Sequence, residues 1–453
     1  MLFGIKNARI VFPDEIQPGC ILYDENGIIR FLGKGISGIS GVLKENLTDA
    51  HGAVAVPGGV DAHVHFGGFG DVPILDDFAS GSRGAIAGGT TTVIDFCESF
   101  AGESVSHCIE RRMNDAKFSL CDYLFHFVLT KDYRNQLSEI GFLRDSGISD
   151  FKLFTTYENE NLTYDEIEEI VSFFDHNQDE ITFLVHSEDE RFIRPFADLS
   201  PDERKDMKFL PECRPKEAES TAVRRLSCIA KRHGANICIA HATTKEAVSV
   251  REKENALTLE TCPHYLEFTD DVYSGEDGCL YTMTPPLRKN DDREALWNAL
   301  KSESVSILST DHCPYSEKVK RNHGLDCIPF GVDGVETRML YLYSEGVRKR
   351  KLSWQQFVRL TSENAARFYH LYPRKGCLAP GSDADIVLIE PDDQTEIRCT
   401  ELHSSSDYSI YEGRCLRGKI KAVYKQGKQL YDGYTVSEIM AGKYLGEKTN
   451  ELL

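Results

Sequence analysis

The feature that most limits the possible folds of this chain is a repeated alternation between two kinds of segment. Eight short runs rich in β-branched or aromatic residues lie at 60–66, 91–96, 123–129, 150–155, 182–187, 236–242, 257–262 and 305–311. Longer segments between them, such as 164–175 and 221–232, have the apolar spacing of helices. Strands that alternate with helices form parallel βαβ units. Eight such units over roughly 250 residues predict an α/β fold, a (β/α)8 barrel of the TIM type.

The two ends of the chain have a different pattern. From 4 to 34, apolar stretches alternate with turn signals at 17–19 and 25–27. This alternation predicts short antiparallel strands joined by hairpins. Near the other end, the runs 384–389 and 420–424 are again strand-like and are bounded by Gly, Pro or Asp. We therefore expect the two ends to complete one β-module.

These patterns predict a domain organisation in which the barrel interrupts a smaller domain. The expected parts are a β-sandwich from 1–56 and 376–435, the barrel at 57–375, and a C-terminal tail at 436–453. The mixed polarity of the tail leaves two alternatives open. It could form a terminal helix against a neighbouring subunit, or it could fray in solvent.

Composition excludes several classes of partner. The net charge of −20 would repel nucleic acid backbones and anionic membrane surfaces. The sequence shows no secretion signal and no run of ~18 apolar residues, which predicts a cytoplasmic protein. The 14 cysteines form no CxxC pair. Those in apolar runs, such as Cys97, Cys228 and Cys238, are expected to be buried thiols in a reducing compartment.

Potential metal ligands or bases lie at the ends of five predicted strands. They are His63 and His65 on the first, Lys152 on the fourth, His186 on the fifth, His241 on the sixth and Asp311 on the eighth. Active sites of such barrels form at the carboxyl ends of the strands, so these side chains are expected to converge at one mouth. His63 and His65 are two residues apart, and the period of two places both rings on the same side.

Each of these residues, taken singly, also has a structural explanation. A single HxH pair occurs often by chance, and a strand-end histidine is often a hydrogen-bonded core residue. Lys152 could point outward or form half of a buried ion pair. Asp311 could cap the following helix. Their common position at strand ends is what favours a metal site.

Several motifs in order resemble the amidohydrolase superfamily and, within it, the hydantoinase/dihydropyrimidinase group. The matching segments are PGGVDAHVHF at 57–66, GGTTTVIDF at 88–96, DFKLFTTY at 150–157, VHSED at 185–189, ETCPHYL at 260–266, TPPLR at 284–288, STDHCPY at 309–315, GVETRM at 334–339 and LYPRKGCLAPGSDADIV at 371–387. The resemblance extends over nearly the whole chain. It implies a homo-oligomeric enzyme, a dimer or tetramer, that opens cyclic ureides or imides to N-carbamoyl amino acids.

The resemblance also implies a role for each candidate residue. Two divalent metal ions, with zinc as the default, would be bound by His63, His65, Lys152, His186, His241 and Asp311. Lys152 would be carbamylated and would bridge the ions. Asp311 would act as catalytic base and then acid, and Tyr157 would donate a hydrogen bond to the developing oxyanion. The ring would be bound by Tyr157, Thr284 and Phe330.

Two departures and two rival functions follow from the same comparison of motifs. Thr284 stands where relatives usually carry serine, and Phe330 stands where they usually carry an asparagine that binds through its backbone carbonyl.

A dihydroorotase or allantoinase is the nearer rival, but those enzymes generally place an arginine shortly after the HxH pair. Here the next arginine is Arg83. A non-enzymatic assembly scaffold is the other rival, and such relatives lack ligands that this chain retains.

Overall fold

A computed structural model describes residues 1–35, 42–67, 72–100, 102–158, 160–175 and 180–446. The chain begins with five strands, which are β1 (Leu2–Val11), β2 (Ile16–Asp24), β3 (Ile29–Gly33), β4 (Val42–Asp49) and β5 (Val54–Pro57). β1 pairs antiparallel with β2 and parallel with β4 and β5. β2 pairs antiparallel with β3. The predicted antiparallel strands at this end are therefore present.

Of the two turns predicted here, one is confirmed and one is wrong. The 25–27 turn joins β2 to β3, and Gly27 has the positive φ of +74° that such a turn requires. The turn predicted at 17–19 does not exist, because Pro18 lies inside β2 opposite Arg9. β3 pairs with β2 only from Cys20 onward, so Pro18 lies where β2 has a single neighbour and a missing N–H is tolerated.

The middle of the chain forms the barrel. Its strands are β6 (Gly59–Asp61), β7 (Thr90–Cys97), β8 (Asp122–Val128), β9 (Asp150–Phe154), β10 (Thr182–His186), β11 (Asn236–Ile239), β12 (Thr258–Thr261) and β13 (Ile307–Leu308). They lie in sequence order and pair in parallel. Beyond β6 and β13, Val64 bridges His312, and the Asp311 N–H donates to the His63 carbonyl at 2.9 Å. These contacts close the first strand on the eighth and confirm the predicted barrel.

The last three strands return to the N-terminal sheet. They are β14 (Ile386–Glu396), β15 (Cys415–Lys425) and β16 (Lys428–Tyr431). The order in this eight-stranded sheet is β16-β15-β14-β5-β1-β2-β3, with β4 beside β1. The junction between the two ends of the chain is the antiparallel pair β14 and β5. The prediction that both ends build one β-module is confirmed.

Helices surround the barrel strands. The α-helical segments of the described residues are Phe78–Ala87, Val105–Ala116, Tyr133–Ser138, Ile140–Asp145, Tyr164–Phe173, Leu210–Cys213, Lys216–His233, Lys245–Glu254, Pro263–Glu267, Asn290–Ser302, Glu317–Arg321, Arg338–Tyr341, Trp354–Val358 and Asn364–Phe368. Thr163 and Glu166 form a capping box at the start of Tyr164–Phe173, which explains why the predicted helix begins there. Among the described residues, no helix has the length and apolar character needed to cross a membrane.

The C-terminal tail lies against the amino-terminal side of the barrel, which we call the barrel floor. The Tyr123 N–H donates to the Lys443 carbonyl, and the Leu445 N–H donates to the Tyr123 carbonyl, both at 2.9 Å. The described part of the tail, 436–446, contains no helix, so the first of the two alternatives is wrong there. The hydrogen bonds to Tyr123 show that residues 443–445 do not fray either. Residues 447–453 lie outside the described residues.

All 14 cysteines are free. Cys97 and Cys238 are buried, as predicted from their apolar surroundings. The prediction is wrong for Cys228, which is exposed because it lies on an outward position of the helix Lys216–His233. The apolar run around Cys228 therefore belongs to an amphipathic helix, in which not every position is covered.

Candidate active site

The six predicted ligands lie at one mouth of the barrel. Lys152 is in β9, His186 ends β10, and the others follow the ends of β6, β11 and β13. His63, His241 and Asp311 each offer a ligand atom within 4.8 Å of the others. The ring of His241 lies 5.4 Å from that of His63 and 4.6 Å from that of His186, measured between centroids. Residues from distant parts of the sequence are thus brought into one cluster.

Asp311 lies between the two histidines of the HxH motif. Its Oδ1 is 3.2 Å from Nε2 of His63 and 3.1 Å from Nε2 of His65. Burial opposes ionisation of Asp311, but the neighbouring His63 and His65 outweigh it and hold the pKa of this carboxyl well below its usual value. Both rings therefore face the same carboxylate, as expected from their spacing.

His65, His186 and His241 are held in the neutral form that binds metal ions. Burial lowers the pKa of His65 and of His186 to about 4. Burial also lowers the pKa of His241, and neighbouring His186 adds to this effect. The buried Nδ1 of His241 has no hydrogen-bond partner among the described residues. A buried nitrogen without a partner is costly, and a ligand would satisfy it.

Two buried glutamates orient the rings of His63 and His186. Glu260 Oε1 lies 2.7 Å from Nδ1 of His63, and the other oxygen accepts a hydrogen bond from the Ser309 hydroxyl at 3.0 Å. Glu188 Oε2 lies 2.8 Å from Nε2 of His186. In metal sites, carboxylates of this kind fix the orientation of a histidine and leave its other nitrogen for the ion.

Lys152 faces the interior of the barrel. Its neighbours in β9, Phe151 and Leu153, both belong to the apolar cluster beneath the helices, so the alternation of a strand directs Lys152 inward. Its Nζ lies 5.1 Å from the centroid of Phe96 and 5.0 Å from that of Phe154. Within the described part of the chain it forms no salt bridge. Burial lowers the pKa of Lys152 to about 8, although Asp311 and Glu260 act in the opposite direction.

The predicted ring-binding residues lie in loops, and the Tyr157 ring is 5.0 Å from that of His186 between centroids. The hydroxyls of Tyr157 and Thr284 are 2.7 Å apart, so the structure brings these two residues together. Burial raises the pKa of the Tyr157 phenol, which keeps it protonated and able to donate. Phe330 packs against Phe196, with centroids 5.8 Å apart. The N–H of its neighbour Gly331 donates to the Thr282 carbonyl at 3.0 Å, which connects this loop to the segment that leads to Thr284.

Three residues of the site have left-handed backbone conformations that non-glycine residues rarely adopt. The φ angles are +50° at Asp311, +38° at His241 and +79° at Tyr157. Such strain is found preferentially at functional sites, where the surrounding structure maintains it. Asp and His adopt positive φ more often than most non-glycine residues, but the residue type alone does not identify which of them do so.

The residues that support the cluster are not among those predicted from the sequence. Glu260 and Glu188 stand inside the motifs ETCPHYL and VHSED, but their residue types alone indicate no function there. Arg214 was missed as well, and its guanidinium NH2 lies 2.6 Å from Glu188 Oε2. The guanidinium carbon of Arg214 is 5.2 Å from the Tyr157 ring centroid. The local pattern that could have indicated one of them is in VHSED, where Glu188 follows His186 by two residues.

The side chains of the cluster fit a divalent metal centre. Imidazole nitrogens and a carboxylate oxygen suit zinc and other first-row divalent ions. The orphaned Nδ1 of His241 and the convergence of three ligand atoms within 4.8 Å are the observations that support this fit.

Comparison with known proteins gives consistent results. A model of the amidohydrolase family matches residues 184–430. The D-phenylhydantoinase of Escherichia coli (strain SE11) is 33% identical over 457 residues, covering 98% of each chain. The crystal structure of dihydropyrimidinase from Brevibacillus agri NCHU1002 is similar with a TM-score of 0.92 and 29% identity, covering 98% of both chains. That of the D-hydantoinase (dihydropyrimidinase) from Thermus sp. has a TM-score of 0.90 at 28% identity, again over 98% of both.

Proposed function

This chain belongs to the amidohydrolase family and to its hydantoinase group, and from that premise we propose that it opens hydantoin and dihydropyrimidine rings to N-carbamoyl amino acids. It is a metal-dependent cyclic amidohydrolase. The observation that carries the proposal is the convergence of His63, His241 and Asp311 at the barrel mouth.

Two divalent ions, with zinc as the default, would be held by this cluster. His63 and His65 would bind one ion together with Asp311, and His186 and His241 would bind the other. When bound, the ions would lower the pKa of a water molecule and polarise the scissile carbonyl.

Lys152 would bridge the ions as a carbamate. Its amine would add to carbon dioxide, forming an N–C bond and releasing a proton, and the product is an anionic oxygen ligand. Two observations support this modification. The amine is buried without a salt-bridge partner in the described residues, and its pKa is lowered to about 8, which raises the neutral fraction that reacts. The modification would also remove the cost of burying an unpaired cation.

Proton transfer would be the task of Asp311. Its carboxylate would take the proton from the attacking water and would later give it to the departing ring nitrogen, which is otherwise a poor leaving group. Tyr157 would donate its phenolic hydrogen bond to the oxygen that becomes negatively charged. Thr284 and the backbone at Phe330 would hold the imide edge of the ring.

Neutral rings are favoured over dihydroorotate, which carries a carboxylate. Arg83, the first arginine after the HxH motif, forms a salt bridge with Glu438 at 3.1 Å. Arg214, close to Tyr157, is already bound by Glu188. Neither of these two arginines is therefore free to compensate the carboxylate of dihydroorotate, which would lose its hydration on binding.

The proposal also includes a cytoplasmic location and a homo-oligomer, either a dimer or a tetramer. The 14 free cysteines suit a reducing compartment. Cell fractionation tests the location, and light scattering after gel filtration tests the assembly.

The decisive experiment compares initial rates of ring opening on 5-substituted hydantoin, dihydrouracil, allantoin and dihydroorotate at matched concentration and metal loading. We expect the hydantoin or dihydrouracil to have the highest kcat/KM. If dihydroorotate is the best of the four, the substrate assignment is wrong. A purified protein that is inactive on all four, with its metals bound, would overturn the proposed function as a whole.

A further inference from the structure

Lys320 is a buried lysine to which the proposed mechanism gives no function. It lies in the helix Glu317–Arg321 with no exposed surface. Its Nζ donates to the Thr282 carbonyl at 2.8 Å and to the Thr282 hydroxyl at 3.2 Å. That hydroxyl donates in turn to the Cys279 carbonyl at 2.9 Å, so it is an acceptor toward Lys320. Both bonds of the amine therefore end on one residue.

The Thr282 carbonyl accepts a second hydrogen bond, which joins it to the Phe330 loop. The Gly331 N–H donates to it at 3.0 Å. Gly331 has a φ of +148°, and a Cβ there would lie 2.3 Å from the Cys313 carbonyl oxygen. The loop is thus fixed between Thr282 on one side and Cys313 on the other. One carbonyl connects the segment that carries Thr284 with the loop that carries Phe330.

The amine of Lys320 is held by hydrogen bonds and not by an opposite charge. Within the described residues Lys320 forms no salt bridge, and burial lowers its pKa to about 7. The amine donates to both acceptors on Thr282, the carbonyl and the hydroxyl. Two bonds from one nitrogen to one residue fix the orientation of its peptide group as well as its distance.

We propose that Lys320 is a positioning residue that sets the separation between Thr284 and the Phe330 backbone, and thereby the fit of the imide edge of the ring. The inference rests on the proposed function, which assigns these two positions to ring binding. Lys320 should therefore affect substrate binding. It should not affect proton transfer by Asp311, because the side chain of Asp311 is held by His63 and His65.

Arg321 provides a matched control in the same helix. Its guanidinium forms an ion pair with Asp277 at 2.7 Å, at the start of the turn that leads to Thr282. It therefore ties the same helix to the same segment, but through a bond at the surface. Exposed ion pairs of this kind contribute little to stability.

The experiment compares Lys320→Met with Arg321→Met, using the ring that the wild type opens best. We expect Lys320→Met to raise KM by about tenfold, the scale of one or two lost hydrogen bonds, with kcat within about threefold of wild type. Its metal content should stay at the wild-type value. Arg321→Met should leave KM unchanged. Lys320→Gln, which retains an N–H donor, should recover part of the loss.

Several results would overturn the inference. One is an unchanged KM in Lys320→Met. Another is a fall in kcat and in metal content as large as the rise in KM, in both Lys320→Met and Lys320→Gln. This result would make Lys320 a general structural residue. If Lys320→Met does not fold, Lys320→Gln decides by the same criteria, and failure of both to fold counts against positioning. A wild type that opens no ring would instead refute the proposed function.

Discussion

The two ends of the barrel each bury a lysine, and they treat its charge in opposite ways. At the floor, the ammonium of Lys375 lies 2.6 Å from Asp122, 2.9 Å from Asp383 and 2.8 Å from Asp385. Burial alone would lower the pKa of Lys375, but these carboxylates outweigh it and raise the pKa above its usual value. At the mouth, Lys152 forms no salt bridge within the described residues, and burial lowers its pKa to about 8.

The charges at the floor form a paired structural cluster, whereas the amine at the mouth has no opposite charge bound to it within the described residues. At the floor, Asp122 of β8 also binds Lys425 of β15 at 2.7 Å, so the cluster joins the barrel to the terminal sheet. Its charges are paired, which is the condition for burying them at low cost. Within the described residues, the mouth holds an amine without a salt bridge, on Lys152, and an imidazole nitrogen without a hydrogen-bond partner, on His241. The metal ions and the carbamate proposed above would satisfy both groups.

The largest effect is expected for Lys152→Ala. The variant should lose most of its bound metal, and turnover should fall on the order of 10³-fold or more, since the ions supply several kcal/mol of transition-state stabilisation. Its thermal unfolding should resemble that of wild type, because the change is local to the mouth. Elemental analysis and steady-state rates measure the outcome. Full metal content with normal turnover would eliminate the bridging role.

The converse change at the floor is Lys375→Met. It leaves Asp122, Asp383 and Asp385 without their shared cation, so the free energy of unfolding should fall by about 3–5 kcal/mol. Metal content per folded chain should not change. Denaturant unfolding followed by metal analysis of the folded fraction makes the comparison. If this variant loses its metal while remaining as stable as wild type, the division between floor and mouth is wrong.

Asp311→Asn tests proton transfer within the mouth. The amide keeps the shape of the side chain but cannot shuttle a proton, so turnover should fall on the order of 10²-fold while much of the metal remains. Rates at saturating substrate, with metal content measured on the same sample, check this. Near-wild-type turnover would require a different base.

A smaller effect is expected from Glu260→Gln, which weakens the orientation of the His63 ring without removing a ligand. Metal affinity should fall by about tenfold, the lower end for residues that support a metal ligand. Competition with a chelator measures the affinity. An affinity equal to that of wild type would mean that the 2.7 Å contact with His63 does not position the ring.

Sequence analysis predicted the features that depend on local pattern. The barrel strands follow from repeated apolar runs, and the convergence of His63 with Asp311 follows from the rule that strand ends meet at one mouth. The features that it missed depend on contacts between distant residues. Pro18 is tolerated in β2 because of where β3 begins to pair, and Glu260 supports His63 across 197 positions of the chain. The left-handed backbone at Asp311 is likewise set by its surroundings.

The proposed mechanism requires that the mouth of this barrel hold two metal ions. Elemental analysis of protein expressed with adequate metal and purified without chelator tests it, with Lys152→Ala prepared in parallel. We predict about two transition-metal ions per wild-type chain, as expected for a two-metal hydrolytic site, and a large loss in the variant. Fewer than about one ion per wild-type chain, or equal metal contents in the two proteins, would contradict a two-metal site that depends on Lys152.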